Sequence, residues 1–132
     1  MESPSSKELV STQPLVSVVD DDESVRESLP DLLRMLGFRA ESFCSAEEFL
    51  ASDAAGRTQC LILDVSMPGM SGPELQRKLR GRGTTTPIIF ITAHADDGVR
   101  LGLLDQGAVE CLFKPFSEAD LLGAVNTAFQ ER

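Results

Sequence analysis

Apolar residues along this chain gather in five short runs, separated by longer stretches in which they recur every three or four positions. The runs are Leu15–Val19, Arg39–Phe43, Cys60–Leu63, Ile88–Ile91 and Val109–Phe113. They carry many β-branched or aromatic residues, and three are nearly continuous in apolar character. A strand buried on both faces reads this way, because it has no solvent side to mark by alternation. The runs therefore predict parallel strands covered by helices above and below.

The intervening stretches predict those helices. Glu23–Leu36 places Val25, Leu29, Leu32, Leu33 and Leu36 on one helical stripe. Its Pro30 lacks a backbone donor and predicts a bend or interruption. Ser45-Ala-Glu-Glu48 reads as a capping box that opens a second helix. Pro73 suits the first turn of a third, Glu74–Arg82. Asp96–Gln106 is a weaker fourth, because Gly98 and Gly102 each cost about 1 kcal/mol relative to alanine inside a helix. Ser117-Glu-Ala-Asp120 caps a fifth that ends near the C-terminus. Five strands alternating with five helices predict a parallel α/β sandwich, and right-handed crossovers place helices on both faces. Residues 1–14, polar and without periodicity, are expected to form a flexible arm. That leaves residues 15–131 as one domain.

Polar residues of unusual type stand where the apolar runs stop. Asp20, Asp21 and Asp22 follow the first run, Asp64 the third, Thr92 the fourth and Lys114 the fifth. In open parallel sheets ligands bind beyond the carboxyl ends of the strands, so these residues should converge on one edge. Clustered carboxylates repel and raise one another's pKa unless a cation joins them. Oxygen ligands with room for water suit Mg²⁺. A lysine offers phosphate a compact charge, a threonine hydroxyl donates to a phosphoryl oxygen, and a carboxylate can accept a phosphoryl group as a nucleophile. Taken singly, each residue has a plainer reading: Asp64 as a turn residue, Asp22 as the cap of the helix from Glu23, Lys114 as a solvated charge and Thr92 as a strand-end cap. Their joint occurrence at four strand ends points to a Mg²⁺-assisted phosphoryl acceptor.

Composition narrows the setting. Acidic residues outnumber basic ones 21 to 12, for a formal net charge of -9. That balance works against direct binding to nucleic acid or an anionic membrane, both of which need a basic surface. No apolar run approaches the roughly 18–20 residues of a membrane span, and residues 1–14 lack the apolar stretch of a signal peptide. A cytoplasmic location is expected. Cys44, Cys60 and Cys111, an odd count without CxxC spacing, predict reduced thiols packed as small hydrophobes.

The motifs Val18-Val19-Asp20-Asp21-Asp22, Leu63-Asp64-Val65-Ser66-Met67-Pro68-Gly69-Met70-Ser71-Gly72, Ile91-Thr92-Ala93-His94 and Lys114-Pro115-Phe116 occur in this order. In that combination the chain resembles the receiver domain of two-component response regulators, the CheY-like (flavodoxin-like) fold, over about Leu15–Gln130. Gly37-Phe38 and Ser-Ala-Glu-Glu-Phe-Leu at 45–50 make it most similar to the FixJ/NarL-type branch, whose members usually carry a C-terminal helix-turn-helix domain. The resemblance implies a five-stranded sheet of order 2-1-3-4-5. It implies Asp64 as phosphoacceptor, Asp21 as a direct Mg²⁺ ligand, Asp20 as a ligand through water, and the Ser66 backbone carbonyl as a third protein ligand. Thr92 would contact a phosphoryl oxygen and shift on activation. Lys114 would pair with the acceptor carboxylate, and Lys114–Pro115 would be a cis peptide. The implied partners are a sensor histidine kinase as donor and, after phosphorylation, a second copy of the chain. Transcription would be regulated through an effector domain outside this chain, and the domain would catalyse only its own modification. One position departs from the pattern: Cys111 stands where such domains usually carry Tyr or Phe, so the aromatic half of the usual switch is missing.

Three other readings fit less well. A haloacid-dehalogenase-like phosphohydrolase needs a second acid two residues after its nucleophile, where this chain has Ser66. A flavin-binding module would want a Ser/Thr/Gly-rich loop after the first strand, where this chain has three aspartates. A pseudo-receiver serving only for dimerisation would not need an intact site. A stand-alone receiver acting by protein contact remains the alternative form of the favoured reading.

Overall fold

A computed structural model describes residues 13–130. Five strands, β1 (Leu15–Val19), β2 (Arg39–Phe43), β3 (Cys60–Asp64), β4 (Ile88–Thr92) and β5 (Glu110–Phe113), form one sheet in the order β2-β1-β3-β4-β5, with every pair parallel. Five α-helices connect or follow them: α1 (Glu23–Met35), α2 (Ala46–Ala51), α3 (Gly72–Gly81), α4 (Asp97–Asp105) and α5 (Glu118–Gln130). A 3₁₀ turn at Asp53–Gly56 follows α2. The expected fold class and strand order are both present.

Alternate strand residues feed two apolar layers. On one face Leu61, Leu63, Ile88 and Phe90 pack with Phe49 of α2, Leu75 and Leu79 of α3, and Leu103 of α4. On the other, Cys60, Ile62, Ile89 and Ile91 pack with Leu29 and Leu33 of α1 and with Leu121 and Val125 of α5. β1, β3 and β4 are buried throughout. This explains why their sequences show no alternation. β5 lies at an edge and is only partly covered.

Four local expectations change. Helix α1 runs through Pro30 without interruption, and the proline ring is buried as Leu29 and Leu33 are; apolar burial offsets the missing donor. Ser45 caps α2 by accepting from the Glu48 N–H at 3.0 Å, but Glu48 returns to the Cys44 N–H rather than to Ser45. The complete capping box belongs instead to Ser71 and Glu74, so α3 begins two residues earlier than predicted. Cys60 and Cys111 are buried as expected, whereas Cys44 is exposed. The arm expected over residues 1–14 lies outside the described residues up to position 12. Gln13 and Pro14, at its end, accept hydrogen bonds from Arg39 Nε and the Arg39 N–H.

Candidate functional site

The strand order reverses direction between β1 and β3, since the chain goes from β1 to β2 on one side and returns to β3 on the other. A crevice opens at the carboxyl ends of strands at such a point. Val19 pairs with Leu63, so the next residues, Asp20 and Asp64, meet across the crevice. Farther along the same edge, Thr92 pairs with Phe113, which sets Lys114 one step beyond. Register alone therefore gathers residues separated by up to 94 positions in sequence.

Carboxylate oxygens of Asp20, Asp21 and Asp64 all lie within 4.8 Å of one another. Asp20 is fully buried, Asp64 is 6% exposed, and Asp21 faces solvent. The ammonium of Lys114 is shared between the buried pair, 2.8 Å from Asp20 Oδ2 and 3.9 Å from Asp64 Oδ1. It thus sits nearer Asp20 than the expected acceptor. Burial and the adjacent Asp20 charge push the Asp64 carboxyl up to about 7, against the pull of Lys114. For Lys114, burial favours the neutral amine, but the hydrogen bond to Asp20 and the charges of Asp64, Asp20 and Asp22 outweigh it and raise its pKa.

The backbone around the pocket is held from several sides. Asp20 Oδ1 accepts from the Asp22 N–H at 2.8 Å, and Arg26 Nη1 donates to the Asp20 carbonyl at 2.9 Å. Asp22 is the N-cap of α1, accepting from both the N–H and the hydroxyl of Ser24. Its plainer reading as a cap is therefore borne out, and its charge also acts on Lys114. Thr92 is buried, and its Oγ1 accepts from the His94 N–H at 3.1 Å. The Lys114 N–H donates to the Thr92 carbonyl at 2.7 Å, and Lys114–Pro115 is cis. Ser66 stands exposed in the loop between β3 and α3, two residues past Asp64.

Arg26 and Gly72 also belong to this site, although Arg26 does not stand out in the sequence and Gly72 does so only as the end of the motif that follows Asp64. Arg26 reads as a solvated charge on the polar face of α1. Gly72 reads as a residue preceding a helix, but it is the first helical residue. A Cβ there would collide with the Asp64 carbonyl oxygen and come within 3.0 Å of the Phe90 ring. Its one legible signal is a glycine beside a proline at a helix start, which marks close backbone approach.

An acidic pocket with a shared lysine at a β1/β3 switch point is joined by one more finding: residues 16–126 match the response regulator receiver domain family. The chain belongs to that family. It is 45% identical over 116 residues to the response regulator protein TmoT of Ectopseudomonas mendocina, covering 88% of this chain and 53% of that protein. It is 40% identical over 113 residues to the transcriptional regulatory protein FixJ of Rhizobium meliloti, covering 86% of this chain and 55% of FixJ. The solved structure of FixJ-N superposes with a TM-score of 0.81 at 36% identity, covering 92% of this chain and 97% of that one. This receiver domain thus spans about half the length of the curated relatives it matches. Among its described residues, no helix is long and apolar enough to cross a membrane.

Proposed function

We propose that this receiver domain accepts a phosphoryl group on Asp64 from a phosphohistidine of a sensor histidine kinase. The observation that carries the reading is the convergence of three carboxylates and one lysine within a single crevice. The donor set fits a hard divalent cation: all oxygen, part buried and part open to water. Asp20, Asp21, Asp64 and the Ser66 carbonyl would hold Mg²⁺. When bound, Mg²⁺ neutralises the carboxylates and the charge that develops on the transferring group.

The chain's own residues do the rest. An Asp64 oxygen attacks phosphorus, the P–N bond to imidazole breaks, and its electron pair leaves on the imidazole nitrogen. The product is an acyl phosphate on Asp64. The attack requires the carboxylate form, and Lys114 favours that form against burial and Asp20. Lys114 then follows the charge onto the phosphoryl oxygens. Thr92 Oγ1 already accepts one hydrogen bond from the His94 N–H, so its hydroxyl hydrogen can turn to a phosphoryl oxygen.

Output is proposed to run through α4 and β5. Val99 and Leu101 on α4 are exposed apolar residues at 44% and 57%, and the exposed side of this helix is the proposed contact for a second, phosphorylated copy. Cys111 is buried in the same apolar layer as Leu103 and Ala108, so the change would proceed by repacking of the Thr92–Gln106 segment without rotation of an aromatic ring. Longer relatives such as FixJ are named as transcriptional regulators, and control of transcription through a further domain of the natural protein follows as the proposed output. The setting is cytoplasmic, and the domain turns over no external substrate.

The test is chemical. Incubation with a small acyl phosphate donor and Mg²⁺ should add one phosphoryl group that peptide mapping places on Asp64. An adduct formed at normal yield on the Asp64→Asn protein would overturn the assignment.

A further inference from the structure

The loop between β3 and α3 carries Ser66 and leads from the acceptor Asp64 to the start of α3. Its ends are tied by backbone hydrogen bonds: the Val65 N–H to the Ile91 carbonyl at 3.0 Å, and the Gly72 N–H to the Val65 carbonyl at 3.1 Å. The Ser71 N–H is taken by Glu74 in the capping box. Met67 is buried in the apolar layer below. The outer part of the loop is held differently. Glu47, an exposed residue in the first turn of α2, reaches across to accept the Met70 N–H on Oε2 at 3.1 Å. Among the described residues, no other side chain from outside α3 hydrogen-bonds to this loop's backbone.

The neighbouring residue is built to receive that carboxylate. Gly69 has φ +76, a conformation L side chains rarely adopt, and a Cβ there would lie 2.7 Å from Glu47 Oε2. Two separate positions, a carboxylate at 47 and a missing side chain at 69, thus meet in one contact. As a helix-starting acid, Glu47 would suit the dipole of α2 if it simply faced solvent. Its carboxylate lies on the loop instead, where a charged acceptor makes a strong bond to a backbone donor.

We infer that Glu47 is a positioning residue for the acceptor site: its bond to the Met70 N–H sets the course of the loop that carries Ser66 away from Asp64. The inference rests on the reading of Asp64 and Ser66 above. Without this bond the loop samples more conformations, and both the cation and the phosphoryl donor meet a less ordered site. Loss of a supporting group that orients a metal ligand typically weakens metal affinity by 10–100-fold. A single bond on an exposed loop belongs at the low end, at about 10-fold.

The experiment measures Mg²⁺ affinity by NMR titration of backbone amides, together with the rate of phosphorylation by a small acyl phosphate. It compares the parent with Glu47→Ala, Glu47→Gln and, as a control, Glu48→Ala, whose side chain bonds Cys44 at the start of α2 rather than the loop. Glu47→Ala should weaken Mg²⁺ binding about 10-fold, move the Met70 amide resonance and leave the melting temperature near that of Glu48→Ala. Glu47→Gln keeps an acceptor oxygen and should restore most of the affinity. Equal losses in Glu47→Ala and Glu47→Gln would mean that charge matters rather than the bond, and would overturn the inference. So would equal losses in Glu47→Ala and Glu48→Ala, or parental affinity and rate in Glu47→Ala. If the parent itself binds no Mg²⁺ and takes no phosphate at Asp64, both the inference and the reading beneath it fail.

Discussion

The corner from β3 into α3 and the corner from β4 into α4 begin alike, with a strand-end polar residue at the crevice, but they are built to opposite standards. In the first, Asp64 is followed by a loop bonded along its length. Helix α3 opens on a full capping box and buries Gly72, Leu75, Gln76 and Leu79. In the second, Thr92 is followed by four exposed residues, and α4 buries Leu103 alone while Val99 and Leu101 face outward. The polar link between the two helices is long, with Gln76 Nε2 donating to the Gln106 carbonyl at 3.4 Å, while the buried Gln76 Oε1 has no partner among the described residues. A buried amide oxygen without a donor costs about 1–3 kcal/mol. Asp64 therefore sits on the more heavily bonded and buried corner and Thr92 on the less buried one. A small change at the crevice has little to move at β3 and much to move at β4, because a marginal element shifts population for a small free-energy input.

Exchanging glycines tests the contrast most severely. Gly72→Ala drives a methyl group into the Asp64 carbonyl and should cost about 3 kcal/mol, the upper range for overpacking. Urea unfolding should show the loss, and Asp64 phosphorylation should fall with it. A neutral Gly72→Ala would mean that the β3 corner is as yielding as the β4 corner.

Charge gives a second effect. The Asp64 carboxyl is raised to about 7 in the fold, chiefly by burial and then by Asp20, so the folded state holds its proton more tightly than the unfolded chain. The sign follows: without divalent cation, this group's contribution to stability falls as pH rises from about 4 to about 7, and is constant above. Asp64→Asn should therefore gain on the parent across that window. Millimolar Mg²⁺ should return about 1.4 kcal/mol to the parent at tenfold excess over its Kd, and Asp21→Ala should abolish that gain. Thermal melts at pH 5, 6, 7 and 8 with and without Mg²⁺ measure both. A parent curve parallel to that of Asp64→Asn would remove the electrostatic part of the comparison.

The smallest effect is opposite in sign to that of Gly72→Ala. A Cβ on Gly102 meets nothing within 4 Å. Gly102→Ala should stabilise the protein by about 0.5–1 kcal/mol and slow hydrogen exchange in α4 more than in α3. If α4 in the parent already exchanges as slowly as α3, the contrast between the corners is lost.

Much of this molecule was legible before its structure. Continuous apolar runs such as Leu61-Ile62-Leu63 announced strands buried on both sides, and the polar residues at their ends announced the crevice. What misled was local. Pro30 predicts a bend or interruption, because the sequence shows a missing donor and not the burial that offsets it. Ser45 and Glu48 read as a reciprocal cap, although Glu48 turns to Cys44. The contacts of Gly72, Arg26 and Glu47 stayed hidden because each is made to backbone brought close only by folding: the Asp64 carbonyl, the Asp20 carbonyl and the Met70 N–H.

The sequence by itself determined the alternation of strands and helices, the choice of carboxylates, threonine and lysine for the crevice, and the two glycines inside α4, since each depends on residue type and spacing within a dozen positions. The tertiary structure alone decided how Lys114 is shared between Asp20 and Asp64, how far burial raises Asp64, and that Glu47 lies against Gly69. Those outcomes depend on distances between segments, and on the water that packing removes from between them. Neither quantity exists until the sheet has closed.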